Sequence, residues 1–91
     1  MPEESLPGQD LIERGLADLA RGVTSVEALL VSIGAPRLRQ MGIEIPHSIV
    51  SPEMRLYELL AKTESDSAHS RYNALIRRLV SFERAAECVA R

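Results

Sequence analysis

Aromatic residues are nearly absent from this 91-residue sequence, which has no Trp, one Phe and two Tyr. A core must therefore be built from Leu, Ile, Val and Ala, a palette that suits packed helices better than packed sheets. Cysteine is limited to Cys88, so no internal disulfide can form and a stapled secreted fold is excluded. No apolar run approaches the roughly 18 residues that a membrane span needs. Met1–Gly8 is acidic and Pro-containing, with neither the basic start nor the apolar stretch of an export leader, and a cytoplasmic location is expected. An excess of positive charge is also missing. The formal charge is -2, without the strongly basic balance of a typical nucleic-acid-binding domain.

The chemistry-bearing motifs are missing too. There is no phosphate-binding loop, no dinucleotide glycine fingerprint and no nucleophile elbow. His47 and His69 have no carboxylate or cysteine at metal-ligand spacing, and Cys88 has no partner at CxxC distance, so neither a metal nor a cofactor is expected. A carboxylate pair such as Glu83 and Glu87 can divide acid and base roles when burial raises one of them, but at helical spacing ordinary ion pairing is the simpler reading: Arg78 or Arg84 for Glu83, and Arg91 for Glu87. Without an assembled constellation the chain reads as non-enzymatic.

What is present is helical periodicity. Residues 1–8 read as a flexible tail and residues 9–91 as a single all-α domain, a small bundle of about four helices plus a short helical turn. In the first helix Ile12, Leu16, Leu19 and Ala20 recur on one face over Gln9–Arg21, Gly22 supplies the stop, and Gly15 marks a close helix crossing. Thr24-Ser25-Val26-Glu27 matches a capping box that opens a second helix with Thr24 as the cap. Its body, Ala28–Ile33, is apolar almost all round and must lie in the middle of the fold or in a subunit contact. Gly34 is read as its end and Pro36–Met41 as a separate short turn closed by Gly42. Ile43–His47 looks extended, with two apolar anchors. Ser51-Pro52-Glu53 then starts a third helix running to about Lys62, with Ser51 as cap and Leu56, Tyr57, Leu59 and Leu60 on its buried side.

The last helix, from about Ser67 to Arg91, is the clearest element. Ala68, Tyr72, Leu75, Leu79, Phe82, Ala86 and Val89 step by alternating fours and threes, a heptad seam with Tyr72, Leu79 and Ala86 at its a positions. The same spacing serves a bundle and a coiled coil, and packing against the chain's own helices is the preferred reading. At the seam's flanks Arg78 and Glu83 sit at the g and e positions that bridge two strands of a parallel dimer. Arg77, Arg84 and Arg91 point away from the seam.

Charge is divided along the chain, with Glu3, Glu4, Asp10, Glu13 and Asp18 against Arg14 in residues 1–20, and five arginines against Glu83 and Glu87 in residues 71–91. The first and last helices should therefore lie side by side with attracting rims. These features point to a protein-interaction or regulatory module that acts through helical surfaces and associates with another protein or with itself as a homodimer. The candidate partner-binding residues are Arg77, Arg84, Arg91, Arg78 and Glu83. The alternative is a small DNA-associated regulator in which Arg37, Arg39 and Gln40, or the arginine row, meet phosphates or bases across a helix-turn-helix-like break at Gly34.

Overall fold

The computed structural model describes residues 6–90 and is all-helical, with no strand among the described residues. Four helices follow in order: α1 (Gln9–Ala20), α2 (Val26–Gln40), α3 (Pro52–Thr63) and α4 (Ala68–Ala90). The other three all pack on α2. That arrangement follows from its lack of a polar face, since Ala28, Leu29, Leu30, Val31, Ala35 and Leu38 are all at most 1% exposed. Ile12 of α1, Leu56 and Leu60 of α3, and Leu75, Leu79 and Phe82 of α4 close around it.

The crossing of α1 and α2 depends on Gly15. A Cβ there would lie 2.4 Å from the Glu27 carbonyl oxygen and 2.4 Å from Val31 Cγ2, so the two backbones meet at a separation only glycine permits. Gly34 sits in a looser contact between α2 and α4, where a Cβ would come within 2.8 Å of Leu79 Cδ1 and 3.0 Å of Glu83 Oε2, both ends of side chains. It is therefore an interior contact glycine rather than the end of the helix, and the turn expected at Pro36–Met41 is the continuation of α2. Pro36 is tolerated because it costs one helical hydrogen bond, the one its missing N–H would have given to the Ser32 carbonyl, while its exposed ring faces away from the core. Burial of Ala35 and Leu38 on either side of the proline holds the helix together across it.

Two caps also differ from expectation. The α2 cap is Ser25, one residue after Thr24: its hydroxyl accepts a hydrogen bond from the Ala28 amide at 3.0 Å and donates to Asp18 Oδ2 at 2.6 Å. Glu27 reaches outward to Arg14 at 3.8 Å instead of folding back on the cap. Ser51 precedes α3 in a left-handed conformation, φ 51°, with no side-chain cap bond, and Pro52 starts the helix through its fixed φ. Of the expected buried side of α3, Leu56 and Leu60 are buried and Leu59 is half-buried, while Tyr57 is exposed and leans on Tyr72 with ring centroids 5.7 Å apart.

The connection Met41–Ser51 is tied to α2 from both directions. Ile45 is buried, Arg39 donates twice to its carbonyl oxygen, at 2.7 and 3.0 Å, and the Ile49 amide donates to Ser32 Oγ at 3.0 Å. Ser32 is a buried hydroxyl that also donates to the Ala28 carbonyl, so both of its roles are filled. Within the expected tail, Met1–Ser5 lie outside the described residues. Leu6–Gly8 are fixed: Leu6 packs on the core, and Gly8, at φ 78°, lies against the α4 backbone beside the Arg78 carbonyl.

Candidate functional site

The α4 seam is spent largely inside the chain. Ala68, Leu75, Leu79 and Phe82 are buried, and Tyr72 and Ala86 are half-buried, but Val89 is 72% exposed. Cover from the other helices runs out over the last turns. The flanking charges also meet partners within the chain. Arg78 reaches Asp10 of α1 at 3.3 Å, which is the expected attraction between the rims of the first and last helices. Glu83 is 5% exposed and faces α2.

On that side Arg37 clasps α4. Its guanidinium makes two hydrogen bonds to the Glu87 carboxylate, Nε to Oε2 at 3.0 Å and Nη2 to Oε1 at 2.7 Å, and its Nη1 lies 3.4 Å from Glu83 Oε1. A planar fork meeting a carboxylate in this way is the strong form of a side-chain ion pair. Burial pushes the Glu83 carboxyl above its ordinary range, partly offset by Arg37 and reinforced by the neighbouring Glu87 charge. The two carboxylates are thus both met by one arginine from α2; for Glu83 this stands in place of the expected Arg78 or Arg84, while the pairing of Glu87 with Arg91 lies outside the described residues. Their shared edge, at i and i+4, was the visible signal for a single cation spanning both; that the cation is 50 residues away was not readable locally.

The other sequence candidates are scattered. Arg77 and Arg84 are exposed and make no ion pair or hydrogen bond with any described side chain. Arg91 lies outside the described residues. Arg37 and Arg39 are turned onto the chain's own acceptors, Gln40 is exposed, and the continuity of α2 removes the turn that a helix-turn-helix requires. His69 lies tilted against Tyr57, with ring centroids 6.5 Å apart, and bonds Asn73 at 3.2 Å, and Cys88 is an exposed thiol. Among the described residues no three of His, Cys, Asp or Glu converge as metal ligands would.

What periodicity did not reveal is a trough along α1. Where α4 loses its cover, a groove of about 370 Å³ opens between the two helices, lined by Leu6, Ile12, Leu16, Met41, Ile43, Phe82, Ala86 and Val89, with Gln9 and Glu13 as its polar lining among the described residues. At Leu16 it joins a hollow of about 170 Å³ that has Leu19, Ala20, Glu44, Ile45, Pro46 and His47 in its walls. At Leu19 and His47 that hollow joins a third, about 240 Å³, reaching Val23 and Ile49. One bank is α1, continued in the third section by Gly22, Val23 and Thr24; the other is the end of α4 followed by the Met41–Ser51 connection. The signal in the sequence was indirect: Leu16, Leu19 and Ala20 continue the apolar face of α1 beyond what α2 alone covers.

Comparisons with protein-family models, with curated proteins and with solved structures find no match to this chain.

Proposed function

We propose that this chain is a non-enzymatic protein-interaction module that binds another polypeptide, or a second copy of itself, in the trough between α1, the end of α4 and the Met41–Ser51 connection. The observation that supports this reading is the run of apolar walls at the surface, ending on Val89 where the α4 seam leaves the chain's own cover. An apolar surface set between helical banks is the form in which helical segments are bound, with ridges of one helix entering the grooves of another. Among the described residues no cluster of acid, base and nucleophile competes with it, and the titratable groups that are drawn together, Arg37, Glu83 and Glu87, meet one another.

The nucleic-acid reading is the weaker one, since Arg37 and Arg39 are engaged by Glu87, Glu83 and the Ile45 carbonyl. Affinity capture from the native host tests the proposal with three baits: the wild type, Val89→Asp and Arg77→Glu. A polypeptide retained by the wild type and by Arg77→Glu but lost with Val89→Asp is the expected result, because a carboxylate would have to be buried in the contact. A partner lost with Arg77→Glu and kept with Val89→Asp overturns the proposal.

A further inference from the structure

We propose that the occupant of the trough is an amphipathic helix of another polypeptide, about three turns long, carrying Lys or Arg along its edges. This rests on the interaction reading above and adds the chemistry of the partner. Each bank bears a carboxylate, Glu13 from α1 and Glu44 from the connection, and both are exposed. Neither is paired with a cation among the described residues, for Glu13 accepts only from the neutral Gln9 amide at 2.8 Å. Among the described residues no Lys or Arg lines any of the three sections, and His47 is the one other titratable group in the walls. The trough is therefore apolar along its floor and negative at its banks. A ligand that complements it is apolar on one face and basic at the edges of that face.

The shape selects a helix. The α1 bank presents Gln9, Ile12, Glu13, Leu16, Leu19 and Ala20, the i, i+3, i+4 ridge that receives side chains of a second helix. A β-paired peptide would need a strand edge for its backbone hydrogen bonds, and none exists among the described residues, while the aromatic-lined groove that takes a polyproline segment is absent too, Phe82 being the one aromatic in the described walls. The 12 residues of α1 span about 18 Å, which sets the length at about three turns. A second copy of the chain is a poorer occupant: the free arginines of its α4, Arg77 and Arg84, stand on the side opposite the seam and so away from both carboxylates when Val89 enters the trough.

The test uses two synthetic helical peptides with the same Leu/Ala apolar face, one flanked by Lys and one by Glu, titrated into the isotope-labelled full chain and followed by amide chemical shifts. The Lys-flanked peptide should shift the amides of Leu16, Ile43 and Ala86 and bind about tenfold more tightly than the Glu-flanked one, a preference that shrinks with added salt. The double variant Glu13→Lys/Glu44→Lys should reverse the order. Equal binding of both peptides in the trough overturns the charge rule and leaves the interaction reading standing. Shifts confined to other surfaces, no shift with either peptide, or a dimer in sedimentation that Val89→Asp splits overturns the inference, while the three-bait capture decides the broader reading separately.

Discussion

Replacing Gly15 by Ala should destabilise the protein even though the same change in an exposed helix stabilises. Relief of the glycine entropy cost is worth about 0.5–1 kcal/mol in a helix interior. Against it, the new Cβ would sit 2.4 Å from the Glu27 carbonyl oxygen and 2.4 Å from Val31 Cγ2, and the first of these is backbone. A backbone oxygen cannot swing aside as a side-chain end does, so α1 has to move off α2, with an overpacking cost of roughly 1–3 kcal/mol. The net expectation is a loss of roughly 1–2 kcal/mol. Gly34→Ala is the internal control, because it gains the same helix propensity but meets only side-chain atoms, Leu79 Cδ1 at 2.8 Å and Glu83 Oε2 at 3.0 Å. It should fall within about 0.5 kcal/mol of the wild type. Urea unfolding followed by far-UV circular dichroism measures both with an unchanged slope. The reasoning is refuted if Gly15→Ala is as stable as the wild type, or if the two variants lose stability equally.

Other substitutions give equally definite outcomes. Ser25→Ala removes the α2 cap and the Asp18 bond and should cost about 1 kcal/mol, whereas Thr24→Ala should be neutral in the same unfolding assay. The pH dependence has a sign. Burial raises the Glu83 carboxyl above its ordinary 4.5, so the stabilisation that protonation brings is whole below 4.5 and is lost as pH rises through the raised value. Thermal melts should show the wild type losing stability relative to Glu83→Gln from below 4.5 toward neutrality; a flat difference contradicts the burial. Asp18 runs the other way, lowered from 3.8 by the Ser25 hydroxyl and by Arg21, so its contribution is present above 3.8 and disappears as pH falls through the lowered value. Ser25→Ala should move the Asp18 carboxyl upward in an NMR titration. Arg37→Ala leaves Glu83 buried without its cation and should destabilise more than Arg84→Ala, whose guanidinium bonds no described side chain.

Much of the fold was legible because its signals were local. The apolar periods of α1 and α4, the all-apolar body of α2 and the proline at the start of α3 each arise from a few consecutive residues. Even the crossing at Gly15 was readable, since a glycine inside an amphipathic helix has little other reason to be there. The departures occur where tertiary contact overrode a local signal. Gly34 and Pro36 together form a stop, yet Gly34 is buried against Leu79 and Glu83 in mid-helix, and burial of Ala35 and Leu38 carries α2 past the proline. Thr24 and Ser25 are both sound caps, and the bond from Ser25 to Asp18, seven residues back, selects the second.

The candidate site was legible only in outline. A surface for a partner was expected, but on the outward arginines or across a coiled-coil seam. The walls of the proposed trough come from four stretches of chain, with Leu6, Ile12, Met41 and Val89 each contributing part, and no period within one stretch displays that union. The heptad hinted at it in one respect: a seam that continues to Val89 while the bundle covering it ends near Phe82 leaves its last steps bare.

The claim that this trough is the working surface is tested most directly by photo-crosslinking in intact cells of the native host, with a photoreactive residue placed at Val89 or, on the opposite side of α4, at Arg77. The account predicts adducts from Val89 to a helical segment rich in Lys or Arg, identified by mass spectrometry, and none from Arg77. Adducts from Arg77 with none from Val89 would contradict it.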